Sequence, residues 1–143
     1  MDSKNINFIE EILTNINSLR AEDVIESMAE IYNIPIDRED LVKYPQFIQD
    51  IIFIIDYDTE LSMNGILGFL KNSTNKYLPQ TITALKNIGA DTDVEVLKKI
   101  SSFDTYKNIN DIESLSEKIY LYNDFDIWKL LEEYVKREIK NMA

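Results

Sequence analysis

The chain contains no cysteine and no histidine. The first absence excludes disulfides, thiolate nucleophiles and Cys-ligated zinc. The second removes the commonest general base, the commonest metal ligand and every Ser-His or Cys-His pair. An enzyme built on this sequence would have to work with carboxylates, Lys, Tyr or Ser. Long apolar runs are also missing: the strongest, Ile51 to Ile55, is far shorter than the ~20 residues needed to cross a bilayer. The N-terminal MDSKNINFIEE lacks the basic start and apolar stretch of a secretory signal. These absences predict a cytoplasmic protein without membrane contact. Glycine and proline are scarce, at three each, and all three glycines fall between Glu60 and Ala90. Backbone punctuation is therefore concentrated in one stretch of an otherwise helix-friendly sequence.

What is present is a globular composition. At 143 residues, 45% apolar and 29% charged, the chain fits one domain, residues 1–143, with enough apolar side chains for a core. Apolar residues recur at helical spacing throughout. Ile6, Ile9, Leu13 and Ile16 predict a helix at about 5–17, and Val24, Ile25, Met28, Ile31 and Tyr32 another at 21–33, stopped by Pro35. Asp37 suits the cap of a short helical segment ending at Tyr44. A central helix at about 45–58 carries Phe47, Ile48, Ile51, Ile52 and Ile55, with Phe53 and Ile54 widening its apolar stripe to nearly all sides.

Asn64-Gly65 is expected to break the chain before a short amphipathic segment at 66–70, and Gly65 and Gly68 to leave a patch open to a close helix approach. Pro79 opens a helix with Ile82, Leu85 and Ile88, closed by Gly89. Thr92 and Glu95 fit a capping box for a helix with Val94, Leu97, Ile100 and Phe103. A helix from Asn110 or Asp111 to about Asn123 follows, and the last begins after Asp124 and ends with Lys136, Arg137 and Lys140. The expectation is all-α, a single compact domain of about seven or eight short helices.

The net charge of −11 is uneven: residues 1–60 hold 14 acids against 4 bases. On a helical wheel Glu22, Asp23, Glu26 and Glu30 share an arc of about 100° opposite the apolar side. Like charges four apart sit ~5–6 Å from one another and cost a few tenths of a kcal/mol per pair. With Asp37, Glu39 and Asp40 they form the candidate partner-binding set. Such a field repels nucleic acid and attracts basic proteins. The bland reading of the same residues is a solvated face.

Other patterns carry less. Asp56, Asp58 and Glu60 are the best candidates for a carboxylate-based hydrolase, but in a chain with 26 acids some pair always lies at a useful separation. DYDTE at 56–60 and DTDVE at 91–95 resemble openings of calcium loops without the sixth-position glycine or twelfth-position glutamate. Asn72-Ser73-Thr74 fits a glycosylation acceptor, although no export signal accompanies it. No cofactor or metal motif is present. Eight Tyr and six Phe are enough to furnish a homodimer face, though such residues more often belong to cores.

One pattern is more specific. Glu60, Leu61, Asn64, Gly65, Phe69, Asn72 and Ser73, followed by Ala84, Leu85, Ile88, Gly89 and Ala90, resemble the DNA-mimic-protein-like family of bacterial domains over about 60–103. The chain departs from the family's Asn-Gly-Gly-Phe, with Ile66 and Leu67 after Gly65. The resemblance implies an all-α fold and an acidic dimer that imitates the phosphate backbone and occupies the DNA-binding face of a regulator. The resulting expectation is a non-enzymatic interaction domain whose partner is a basic protein. An inhibitor of a toxin is the alternative.

Overall fold

The computed structural model describes residues 7–34, 36–71 and 76–142. Within them lie several short 3-10 segments, no strand, and seven α-helices: α1 Phe8–Thr14, α2 Ala21–Met28, α3 Gln46–Lys71, α4 Leu78–Ile88, α5 Asp91–Ile100, α6 Ile109–Ser116 and α7 Ile127–Met142. The all-α expectation holds. The expected stop at Pro35, the Asn72-Ser73-Thr74 motif and the first helix before residue 7 lie outside the described residues.

Helix α3 is the hub. Its residues Phe47, Ile48 and Ile51 to Ile55 are buried, as a stripe on nearly all sides demands. It packs against α2, α4, α6, α7 and the 3-10 segment Arg38–Lys43. Val24, Met28, Ile31, Leu85, Leu97, Ile112, Leu131 and Val135 converge on it in one core cluster.

The helix also runs further than its sequence suggested. Instead of ending near residue 58, α3 continues to Lys71 with a kink at Gly65, whose φ of 69° and ψ of −176° are non-helical. A side chain rarely adopts that conformation, so glycine is required by the backbone. The expected close approach at Gly65 is not observed: a Cβ built there would meet nothing within 4 Å. Gly89 behaves as expected, capping α4 in the left-handed conformation at φ 87°.

Three other boundaries differ. Helix α1 stops at Thr14, and a separate 3-10 turn covers Ile16–Ser18. Helix α5 has Ala90 at its N-cap and no side-chain cap, so the Thr92-Glu95 box does not form. Helix α6 ends at Ser116 rather than near Asn123, for a visible reason. The backbone amide of Tyr120, which a continuing helix would use, donates instead to buried Asp93 at 3.0 Å. The last helix is capped by Asp126, whose Oδ1 accepts from the amides of Trp128 and Lys129, both at 3.1 Å.

Candidate partner-binding surface

The predicted acidic residues lie on consecutive elements. Glu22, Asp23 and Glu26 stand on α2, Glu30 on the following 3-10 turn Ala29–Tyr32, and Asp37, Glu39 and Asp40 at and inside Arg38–Lys43. Burial of Val24, Met28 and Ile31 fixes which side faces inward and leaves Glu26 and Glu30 exposed. Asp37, Glu39 and Asp40 are exposed as well.

The row is not uniformly free. Arg20 lies 3.7 Å from Glu22 and 3.4 Å from Asp23, and the amide of Arg20 also donates to Asp23, closing the start of α2. The hydrogen bond to Asp23 raises the Arg20 pKa further. Lys76 pairs with Glu39 at 2.8 Å, and this bond, with one from Tyr77, lowers the Glu39 carboxyl to about 2. Arg20 and Lys76 thus neutralise part of the candidate set. Glu26, Glu30, Asp37 and Asp40 form no salt bridge among the described residues.

The hydrolase candidates play a different part. Asp56 is nearly buried and held bidentately by Arg38, at 2.7 and 2.9 Å, while also accepting from the Tyr32 hydroxyl. Asp58 accepts from the Tyr120 hydroxyl, and Glu60 from Asn64 at 2.8 Å. The first two fasten α3 to neighbouring segments. Both calcium-like openings are helical: DYDTE lies within α3, and DTDVE opens α5 with Asp93 turned inward to Tyr57 at 2.8 Å. Among the described residues, no group of three His, Cys, Asp or Glu could hold a metal ion. No helix among them is long and apolar enough to cross a membrane.

A second surface feature was not anticipated. The α3 kink opens a cleft of about 560 Å³, lined by Asn64, Gly65, Ile66 and Leu67 on one side and Glu113, Ser116, Glu117 and Tyr122 on the other. Glu113 and Glu117 are exposed, and Tyr122 is 54% exposed. Their signal in the sequence was the like-charge pair four residues apart.

Comparison with known proteins places this architecture. A family described as DMP19-like protein matches residues 42–138, well over half of the chain. The chain belongs to the DMP19-like family. No curated protein and no solved structure matches it. The DMP19-like match takes in α3, its kink and the cleft, and it begins after all seven predicted binding residues. The 41 residues before it carry 10 acids and 3 bases.

Proposed function

We propose that the protein is an acidic interaction domain that binds a basic protein, presenting Glu22, Asp23, Glu26, Glu30, Asp37, Glu39 and Asp40 in place of nucleic-acid phosphates. One observation carries this reading. Glu26, Glu30, Asp37 and Asp40 are exposed and form no salt bridge among the described residues, on the consecutive segments α2, Ala29–Tyr32 and Arg38–Lys43 with its N-cap Asp37. Membership of the DMP19-like family supports the same class of function. Carboxylates ~5–6 Å apart offer Lys and Arg a ladder of acceptors. Such contacts speed encounter and weaken with salt, because exposed charges are screened over about 10 Å at 0.1 M.

The acids already engaged by Arg20 and Lys76 have to exchange those partners, so Glu26 and Glu30 contribute most. The partner is a nucleic-acid-binding protein, and its own nucleic acid competes for the same face. The test is capture from cells at low and high salt. Affinity of the identified partner is then measured for the wild type and for Glu22→Lys, Glu26→Lys, Glu30→Lys combined. Loss of binding in the triple variant, together with competition by DNA, is the expected result. Unchanged affinity would remove these residues from the interface. If the captured protein is a toxin rather than a regulator, the same measurements apply.

A further inference from the structure

We propose that the cleft at the α3 kink is a pocket for one arginine side chain of the basic partner. The proposal rests on the reading above for the partner's basic character, and adds an anchor outside the N-terminal acids.

The shape comes first. Gly65 turns α3 out of its helical path, and the resulting cleft of about 560 Å³ falls within the roughly 300–1,000 Å³ range of ligand pockets. Since a Cβ at Gly65 would meet nothing within 4 Å, glycine serves the bend and not a packing contact. The bend places Asn64, Ile66 and Leu67 opposite the end of α6.

The electrostatics point to a cation. Glu113 and Glu117 are exposed, lie one turn apart and form no salt bridge among the described residues. Among the described residues, no Lys or Arg lines the cleft. Glu117 is the C-cap residue of α6, where the helix dipole already disfavours negative charge. Mutual repulsion and the dipole thus both oppose the folded arrangement, and one bound cation relieves both.

The remaining walls select among cations. The exposed Tyr122 ring offers a face for a planar guanidinium, and Ile66 and Leu67 offer apolar surface to its methylene stem. Asn64, whose Nδ2 donates to Glu60 at 2.8 Å, also lines the cleft. A fork of five donors that also stacks uses these groups better than the compact ammonium of lysine. All lining residues lie within 42–138, the span shared with the DMP19-like family.

The probe is the peptide acetyl-Gly-Arg-Gly-amide, with its lysine counterpart, titrated into the full-length protein at low salt and followed by backbone amide NMR. The arginine peptide should shift the amides of Gly65, Ile66, Glu117 and Tyr122 saturably, and bind several-fold more tightly than the lysine peptide. Glu113→Gln with Glu117→Gln should weaken it roughly tenfold, as expected when charge-assisted hydrogen bonds are lost. Both substitutions are on the surface, and unchanged circular dichroism verifies the fold. Glu26→Lys with Glu30→Lys should leave peptide binding at the cleft intact.

Shifts confined to the α2 face, absence of saturation, or no effect of the Gln pair would overturn the proposal. A captured partner lost by the α2 lysine variants but indifferent to the Gln pair would also refute the anchor, while sparing the N-terminal interface. Conversely, arginine-selective titration into the cleft in a protein that captures no basic partner would uphold the pocket and reject the N-terminal reading.

Discussion

Carboxylates occupy two opposite settings in this fold. On α2 and the 38–43 segment they face solvent, and their nearest cations are flexible surface side chains. Inside the bundle, Asp50 and Asp93 are 0% and 1% exposed and have no cation partner among the described residues; they are surrounded by neutral donors instead. Asp50 accepts from Gln46 at 2.8 Å, Asn87 at 2.9 Å and Tyr134 at 2.6 Å, joining α3, α4 and α7. Asp93 accepts from Tyr57 and from the Tyr120 amide, joining α5, α3 and the segment after α6. An unsatisfied buried carboxylate costs several kcal/mol, so the tyrosines are what make these positions tolerable. Tyr32 with Asp56 and Tyr120 with Asp58 repeat the pairing. A net charge of −11 therefore overstates what a partner meets, since some of the acids organise the interior.

The largest test of this contrast is alkaline. Burial, followed by the neighbouring carboxylate, raises the phenols of Tyr57, Tyr120 and Tyr134 above their ordinary value of 10.0. A raised folded value means that the stability contribution is complete below pH 10 and is lost as pH climbs toward the folded value. Each phenol then removes at most about 1.4 kcal/mol per pH unit, so three together remove roughly 4. Unfolding should be cooperative above about pH 10 and coincide with phenolate absorbance. Three phenols ionising independently near pH 10 in a chain with intact circular dichroism would show that the Tyr–Asp pairs do not hold the interior.

Next in size is Asp50→Ala. The exposed Asn87 and Gln46 can turn to water, but the buried Tyr134 hydroxyl loses its acceptor. The expected loss is about 2–4 kcal/mol in denaturant unfolding, with Asp50→Asn costing about half because one acceptor oxygen survives. A loss below ~1 kcal/mol would place Asp50 with the surface acids.

These interior roles were the least legible part of the sequence. Helical periodicity exposed α3 as the central helix because Ile and Phe fill every side, and Gly89 announced its own cap through the residue type that a left-handed turn requires. Asp50 gave no such sign. Its neighbours in the network are 37 and 84 residues away along the chain, and no local spacing encodes that. Asp93 was visible only as part of a false calcium pattern, although its burial is what ends α6 early through the Tyr120 amide. Asn64-Gly65 marks the break in α3, whereas the packing patch expected of Gly65 with Gly68 has no neighbour at Gly65. A glycine selected for φ and one selected for space look identical in sequence. On the surface, the α2 row was readable from its wheel, whereas relief of Glu39 by Lys76 required tertiary structure to bring residues 37 apart together.

The smallest effects belong to the exposed acids, and their signs separate surface charge from framework. Glu26→Gln with Glu30→Gln should alter unfolding free energy by less than about 0.5 kcal/mol, since neither residue bonds the core, while lowering both partner affinity and its salt dependence. Glu117→Lys should go further and stabilise the fold by about 0.3–1 kcal/mol, because it replaces repulsion from Glu113 with attraction and suits the end of α6. Chemical denaturation of the three proteins side by side measures both. If Glu117→Lys instead destabilises by ~1 kcal/mol or more, Glu117 belongs with Asp50 and Asp93, and the division between interior organisers and outward-facing charge has to be redrawn at the kink.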